Sequence, residues 1–230
     1  MTPTHNLLLA QLPAPERAQL LSLCERVPLT WGSVLSERGD TQHHVHFPEN
    51  GFVSLLAQVQ AHPSLEVGMV GREGMLGVSL LLGVALAPVR SLVQGEGSAW
   101  RLDAATLARL LSKSPLLRQR LQGYLYVQMA QMVGAAGCLR FHLIGPRLAR
   151  WLLMSQDRAD ADHFRVTHDF LSHMLGTRRV GVTVAAGLLQ QAGLIRYQRG
   201  ELSVLSRSGL EAAACACYAA DRHIYDTQMA

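Results

Sequence analysis

Lysine is almost missing from this sequence: of 21 Lys plus Arg residues, only Lys113 is a lysine. A phosphate-binding P-loop needs Gly-Lys-Ser/Thr, and Lys113 follows a serine, so that motif is excluded. Schiff-base chemistry would have to use the same residue, which sits among polar neighbours with no activating group. Cysteine is scarce as well. Cys24, Cys138, Cys215 and Cys217 form no C-x-x-C pair, and a chain of this size has no need of disulfide staples. There is no G-x-S-x-G and no H-E-x-x-H, and Gly95-Glu96-Gly97-Ser98-Ala99-Trp100 fails the dinucleotide fingerprint at its last position. The chain is therefore not expected to be an enzyme. Long hydrophobic runs are lacking too. Leu7 to Ala10 is too short for a signal peptide and no basic n-region precedes it. Gly74 to Val89 is uncharged but short and glycine-containing, and Leu121 to Leu139 carries Gln122, Gln128 and Gln131, which suits a buried or interfacial soluble helix. The expected location is the cytoplasm, with no membrane partner.

Apolar residues make up 49% and charged residues 17% of the 230, which excludes a disordered chain and allows a sizeable core. The pI near 9.1 and net charge of +4 suit an anionic partner without requiring one. Residues 5 to 26 read as a short helical entry. From Val27 to about Leu102 glycines punctuate short strand-like runs: Val45–Phe47, Phe52–Leu56, Leu65–Val70 and Ser91–Val93. That spacing predicts an antiparallel barrel or sandwich; Met75 to Leu82 is ambiguous, a short helix inserted into the barrel being one reading. Helical periodicity returns at Asp103, a cap for a helix through Leu111. Ser114-Pro115 starts a second helix that runs to about Leu139. Leu125, Met129, Met132, Ala136 and Leu139 make a coiled-coil-like seam along it, which predicts a dimer. After Gly145-Pro146, residues Arg147 to Asp157 form a further amphipathic helix, and Asp157 to His163 reads as a polar loop.

The most informative stretch is Val166 to Leu205. Thr167 is a good N-cap and Leu171, Met174 and Leu175 make an apolar face. Gly176 turns the chain, and a second helix from Thr177 to Gln191 follows, with Val182, Ala185, Ala186 and Leu189 inward. Helix, glycine turn and a second helix opening on Arg178-Arg179 is a helix-turn-helix plan. Such DNA readers place the start of the second helix in the major groove, where an arginine fork matches guanine or neutralises phosphate. Gly193 ends that helix. Two short strands around Arg199-Gly200 read as a wing. From 166 to 199 there are four arginines against a single aspartate, the footprint of a DNA binder.

In this order of barrel, long helix and winged helix-turn-helix, the whole chain resembles the Crp–Fnr family of bacterial transcription regulators. Arg147-Leu148-Ala149-Arg150-Trp151-Leu152-Leu153, Thr167 to Leu175, Gly176, Arg178-Arg179, Val182-Thr183 and Gly193-Leu194-Ile195 carry the likeness. In the barrel, Phe47-Pro48 and Val70-Gly71-Arg72-Glu73-Gly74-Met75 look like one subgroup of the family. The resemblance implies an α+β chain: an N-terminal double-stranded β-helix (a cyclic-nucleotide-binding-like jelly roll) over 1–112, a dimerisation helix over 113–142 and a winged helix-turn-helix over 143–230. It implies a homodimer on a near-palindromic double-stranded DNA operator, with RNA polymerase as a further partner. Thr167, Thr177, Arg178, Arg179, Gly181, Val182, Thr183 and Arg199 are the expected DNA-facing residues. Arg179 matches a base-contacting arginine of the cyclic-AMP receptor protein, whereas Val180 and Val184 stand where that protein has a glutamate and an arginine.

By the same resemblance, a cyclic-nucleotide pocket would use Glu73, Arg90 and Ser91, with Gln128 on the long helix. The match is imperfect, because Arg72 intrudes after Gly71 and the Thr-Ser pair that contacts the base is missing. The effector is left open between a cyclic nucleotide and haem, neither supported by a motif. Iron–sulfur sensing needs several N-terminal cysteines, and none precedes Cys24. Cys215 and Cys217 with His223 are too few for a metal site, and His43, His44 and His46 read as surface or strand residues, so no metal is expected. A second reading keeps the barrel as a ligand sensor that signals through protein contacts, with a degenerate helix-turn-helix.

Overall fold

The computed structural model describes residues 4–60, 62–159 and 161–230. The helical entry is two short helices, α1 (Leu7–Ala10) and α2 (Ala14–Ser22), with Pro13 between them. Asn6 caps α1 by accepting from Leu9 N at 3.0 Å, and its buried amide donates to Pro48 O and Gly74 O at 2.8 and 2.9 Å. That one side chain pins the entry to the barrel.

The sheet comprises β1 (Glu25–Leu29), β2 (Val34–Ser36), β3 (His44–Ala57), β4 (Leu65–Val70) and β5 (Arg90–Asp103), all antiparallel. Its order is β1-β5-β3-β4, with β2 also on β5. The runs Val45–Phe47 and Phe52–Leu56 belong to one strand, because irregularities near Pro48, Asn50 and Phe52 bend β3 without breaking its pairing to β5. The failed dinucleotide fingerprint lies within β5. A 3-10 helix at Val78–Leu82 fills the expected insertion.

Asp103 accepts from Thr106 N and caps α3 (Ala104–Lys113). Ser114 caps α4 (Pro115–Phe141), with Pro115 at its first position. α5 (Ile144–Ala159) then starts three residues before Arg147, since Pro146 sits in its first turn, where a missing N–H costs nothing. The winged part follows: β6 (His163–Arg165), α6 (His168–Met174), α7 (Arg179–Gln191), β7 (Ile195–Gln198) and β8 (Glu201–Val204). α8 (Arg207–Ala213) and α9 (Cys217–Met229) complete the chain.

The barrel and the winged part share a core. Phe52 and Met69 pack in one buried cluster with Leu148, Trp151 and Leu152 of α5 and with Leu171, Val182, Ile195 and Leu202. α9 leaves the winged part and returns to α4: Met229 is buried with Leu117, Leu121 and Tyr124, and Arg120 donates to Ala230 O at 3.0 Å. Two glycines let the barrel approach both long helices. A Cβ on Gly71 would lie 2.4 Å from Arg158 Cβ of α5, and one on Gly74 would lie 1.9 Å from the Tyr124 ring of α4. Val70 to Met75 is thus the knuckle on which the barrel meets α4 and α5.

Candidate nucleic-acid interface

Thr167 Oγ1 accepts from Phe170 N at 3.1 Å and caps α6, whose Leu171 and Met174 are buried. The turn is held from behind. Arg147 of α5 donates to Leu175 O, Thr177 N donates to Ser172 O at 2.9 Å, and Gly176 adopts φ +56 against Leu65 of β4. Thr177 belongs to the turn and Arg178 is the N-cap of α7, so the helix begins two residues later than its periodicity suggests. Its first N–H groups are not capped by the Arg178 side chain, which leaves them suited to a phosphate.

One face of α7 is core: Val182, Ala185, Ala186 and Leu189 are buried. Val182 is fully enclosed, which corrects its expected place on DNA; it holds the helix against α6 instead. Gly181 is partly covered, close to Thr177 Oγ1. The opposite face exposes Arg179, Val180, Thr183, Val184, Gly187 and Leu188. The side chain of Val180 is 73% exposed, and Val184 and Leu188 are also open. The sequence reading placed Val180 and Val184 beside Arg179 through the resemblance but did not single out Leu188. The spacing of all three opposite Val182 and Ala186 is the signal that reveals them.

A small network ties this face to the wing. Thr183 Oγ1 donates to Arg179 O at 3.1 Å and lies 3.0 Å from His168 Nδ1, which donates to it in the Nδ1-protonated tautomer. The His168 ring stacks on Tyr197 with centroids 4.4 Å apart, and the Tyr197 hydroxyl donates to Val166 O at 3.1 Å. Burial, then the nearby Arg179 charge, holds His168 below its ordinary pKa, so the ring is neutral at pH 7. β7 and β8 pair around Arg199 and Gly200, both in the left-handed region, as a two-residue hairpin turn requires. Arg196 and Arg199 are exposed there. β6 adds a third strand to the wing from a segment adjoining the expected loop.

In this conformation the start of α7 faces the barrel. A cavity of about 980 Å³ separates Val59, His62 and Leu65 on the β3–β4 side from Thr177, Arg178 and Val180.

The expected effector residues are dispersed. Glu73 pairs with Arg158 (2.9 Å) and accepts from Gly71 N (3.1 Å). It lines a cavity of about 240 Å³ with Arg72, Asp157, Arg207 and Tyr225. Arg90 pairs with Glu37 at 3.3 Å, while Ser91 bonds to Ser36 and lines a separate pocket beside His43, His44 and His46. Gln128 is buried in α4. A single nucleotide site built from these four residues is therefore not formed here. His46 is held neutral, its pKa pushed down to about 4 by burial and then by His44 and Arg101.

The free face of α4 is displaced from the expected seam. Gln122, Tyr126, Met129, Val133, Ala136 and Arg140 are exposed at spacings of four and three, while Leu125, Met132 and Leu139 are partly covered. Met129 and Val133 are 57% and 76% exposed. Among the described residues no helix is long and apolar enough to cross a membrane.

Residues 146–213 match the family model of the Crp-like helix-turn-helix domain. The fold as a whole is that of Crp/Fnr regulators. The c-di-GMP responsive global regulator CLP of Xanthomonas campestris is 17% identical, with a TM-score of 0.68 over 84% of this chain and 100% of that one. A Crp/Fnr-family regulator from Thermus thermophilus is 23% identical, with a TM-score of 0.67 over 83% and 98%. A Crp/Fnr-family regulator from Eubacterium rectale is 15% identical, with a TM-score of 0.63 over 91% and 98%. No curated protein sequence matches the chain.

Proposed function

We propose that this chain, which carries the Crp-like helix-turn-helix domain on a Crp/Fnr fold, is a homodimeric, sequence-specific transcription regulator of the cytoplasm and not an enzyme. The observation that carries the reading is the outward face of α7. Arg179 stands at its first turn, Thr183 one turn on, and Val180 and Val184 beside them, with a basic wing at Arg196 and Arg199. An arginine fork suits guanine, and exposed valines suit thymine methyl groups. Tyr126, Met129, Val133 and Ala136 would form the seam between two copies, setting two α7 helices on a near-palindromic operator. Thr167, Thr177, Arg178 and Arg199 serve as phosphate contacts. An effector acts by shifting the balance between the present arrangement, with α7 facing the β3–β4 side, and one with α7 free for the groove. Bound to its operator, the dimer would present itself to RNA polymerase.

The test is selection from random double-stranded DNA by the purified chain at fixed salt, alone and with cyclic nucleotides (c-di-GMP included) or haem. A two-fold symmetric motif is expected. Arg179→Ala should cost about 1–3 kcal/mol at that motif and relax one base position per half-site. No motif under any condition would overturn the proposal and favour a sensor acting through protein contacts.

A further inference from the structure

Three of the four cysteines meet in one place. Cys138 and His142 lie one turn apart at the end of α4, and Cys215 and Cys217 lie where the chain passes from α8 into α9. Their three sulfurs and one ring nitrogen all fall within 4.8 Å of one another. His223, the histidine considered from sequence, is not in this group. Cys138 Sγ is 3.6 Å from Cys215 Sγ, and Cys217 Sγ is 3.5 Å from His142 Nδ1. Zinc bonds of about 2.3 Å to sulfur and about 2.0 Å to nitrogen give tetrahedral edges of about 3.8 and about 3.5 Å.

We propose that Cys138, His142, Cys215 and Cys217 form a closed structural zinc site that fastens the end of the long helix to the start of the last one. Four protein ligands fill the tetrahedron and leave no open position, as in structural rather than catalytic zinc. Binding exchanges three thiol protons for one Zn²⁺ and leaves a net charge of −1 on the site. Arg150 is placed to offset it: its Nη1 lies 3.9 Å from Cys138 Sγ, and Asp221 holds the guanidinium at 2.6 Å. The backbone sets the ligands in place. His142 N donates to Cys138 O at 3.1 Å, closing the last turn of α4, and Cys215 N donates to Pro146 O at 3.3 Å. A disulfide between Cys138 and Cys215 would need the sulfurs at about 2.05 Å and would leave Cys217 and His142 converging on nothing. A four-iron cluster binds each protein ligand to a different iron and a two-iron cluster divides four ligands between two irons, so either spreads the ligand set wider than a single ion does.

The test is the metal content of the full chain, produced without a histidine tag and kept reduced. One zinc per chain is expected by atomic mass spectrometry. Replacement by Co²⁺ should give visible bands of tetrahedral cobalt with a thiolate charge-transfer band. Cys217→Ser and His142→Ala should lower the stoichiometry, Cys24→Ser should leave it unchanged, and His142→Cys should restore a tetrahedral cobalt spectrum. If a variant fails to fold, the wild-type stoichiometry and cobalt spectrum still decide. Reduced wild-type chain without zinc or cobalt uptake, or equal loss in Cys24→Ser and Cys217→Ser, would overturn the site. None of these readouts depends on DNA binding.

Discussion

Glu73 offers the sharpest contrast between a ligand-binding role and a structural one, and replacing it with glutamine separates them. Its carboxylate meets the Arg158 guanidinium at 2.9 Å, with side chains only 15% and 8% exposed. The approach is short, but Nε is not aligned for a hydrogen bond, so the attraction is chiefly ionic. Burial is the largest influence on Arg158 and alone would lower its pKa; Glu73, followed by Tyr124, Asp157 and Asp221, together outweigh it and hold the value above ordinary. Removing one member of a buried pair costs about 3–5 kcal/mol, because the other charge is left uncompensated. The glutamine side chain keeps a carbonyl acceptor, which places the expected loss near the lower figure, about 3 kcal/mol. For a chain of this size each kcal/mol moves Tm by about 2–4 °C, so Glu73→Gln should melt about 6–12 °C lower. The assay is thermal and urea unfolding by circular dichroism, with Arg158→Met added in the same background. The double variant should recover at least half of the loss, since an apolar replacement removes the stranded charge. A Glu73→Gln shift below about 2 °C, with no recovery in the double variant, would refute the reasoning and return Glu73 to a ligand-facing role.

Glu66 should give stability a pH slope. Burial pushes its pKa from 4.5 up to about 7, against hydrogen bonds from Ser54 and Trp151 that favour the charged form. The folded value lies above the unfolded one, so this contribution is full below pH 4.5 and lost as pH rises through 7; Tm should fall from pH 5 to 8, and Glu66→Gln should flatten that difference. Val133→Asp should convert a dimer to monomers in analytical ultracentrifugation while preserving the circular dichroism spectrum, since Val133 is 76% exposed on the single chain. Arg199→Ala should weaken binding to all DNA sequences alike and reduce the salt slope by about 1, in contrast to the base-specific loss at Arg179.

The helices and the recognition unit were legible in the sequence because their signals are local. Ser114-Pro115, Asp103 and Thr167 are caps, and each caps the helix expected of it. The family resemblance was borne out by residues 146–213 and by the fold. Boundaries and faces were less legible, since they depend on what packs against the helix. The exposed face of α4 differs from the expected seam because Leu125, Met132 and Leu139 become partly covered only in three dimensions, Met132 beside Gly68 of β4 and Leu139 beside Gly176. Val182 looked available to DNA beside Arg179, yet the hydrophobic period that marks it as core was visible from the start. The dispersal of Glu73, Arg90 and Ser91 could not be read from spacing, because it depends on how β5 and the Val70–Met75 knuckle are placed. Cys215 and Cys217 could be weighed as metal ligands from sequence, but their partners Cys138 and His142 could not, for the same reason: 72 residues lie between His142 and Cys215.

Among the links that cross between the barrel with its long helix and the winged part, three lie at or beside α5 and differ in chemistry. Glu73 to Arg158 is ionic, and Trp151 Nε1 to Glu66 at 3.0 Å is a hydrogen bond to a carboxyl that titrates near neutrality. The cluster of Cys138, His142, Cys215 and Cys217 is of metal-ligand type. All three involve or adjoin α5, the helix whose Arg147 also holds the helix-turn-helix at Leu175. A perturbation that moves α5 is therefore felt at α7 through their shared core and at the preceding turn through Arg147. With the proposed zinc site and the Glu66 titration in place, the position of α7 against the β3–β4 side would respond to proton and thiol chemistry as well as to any ligand in the barrel. Arg147→Ala should weaken the coupling at the turn before α7: DNA affinity would change, while zinc content and the Glu66 pH slope would stay as in the parent chain.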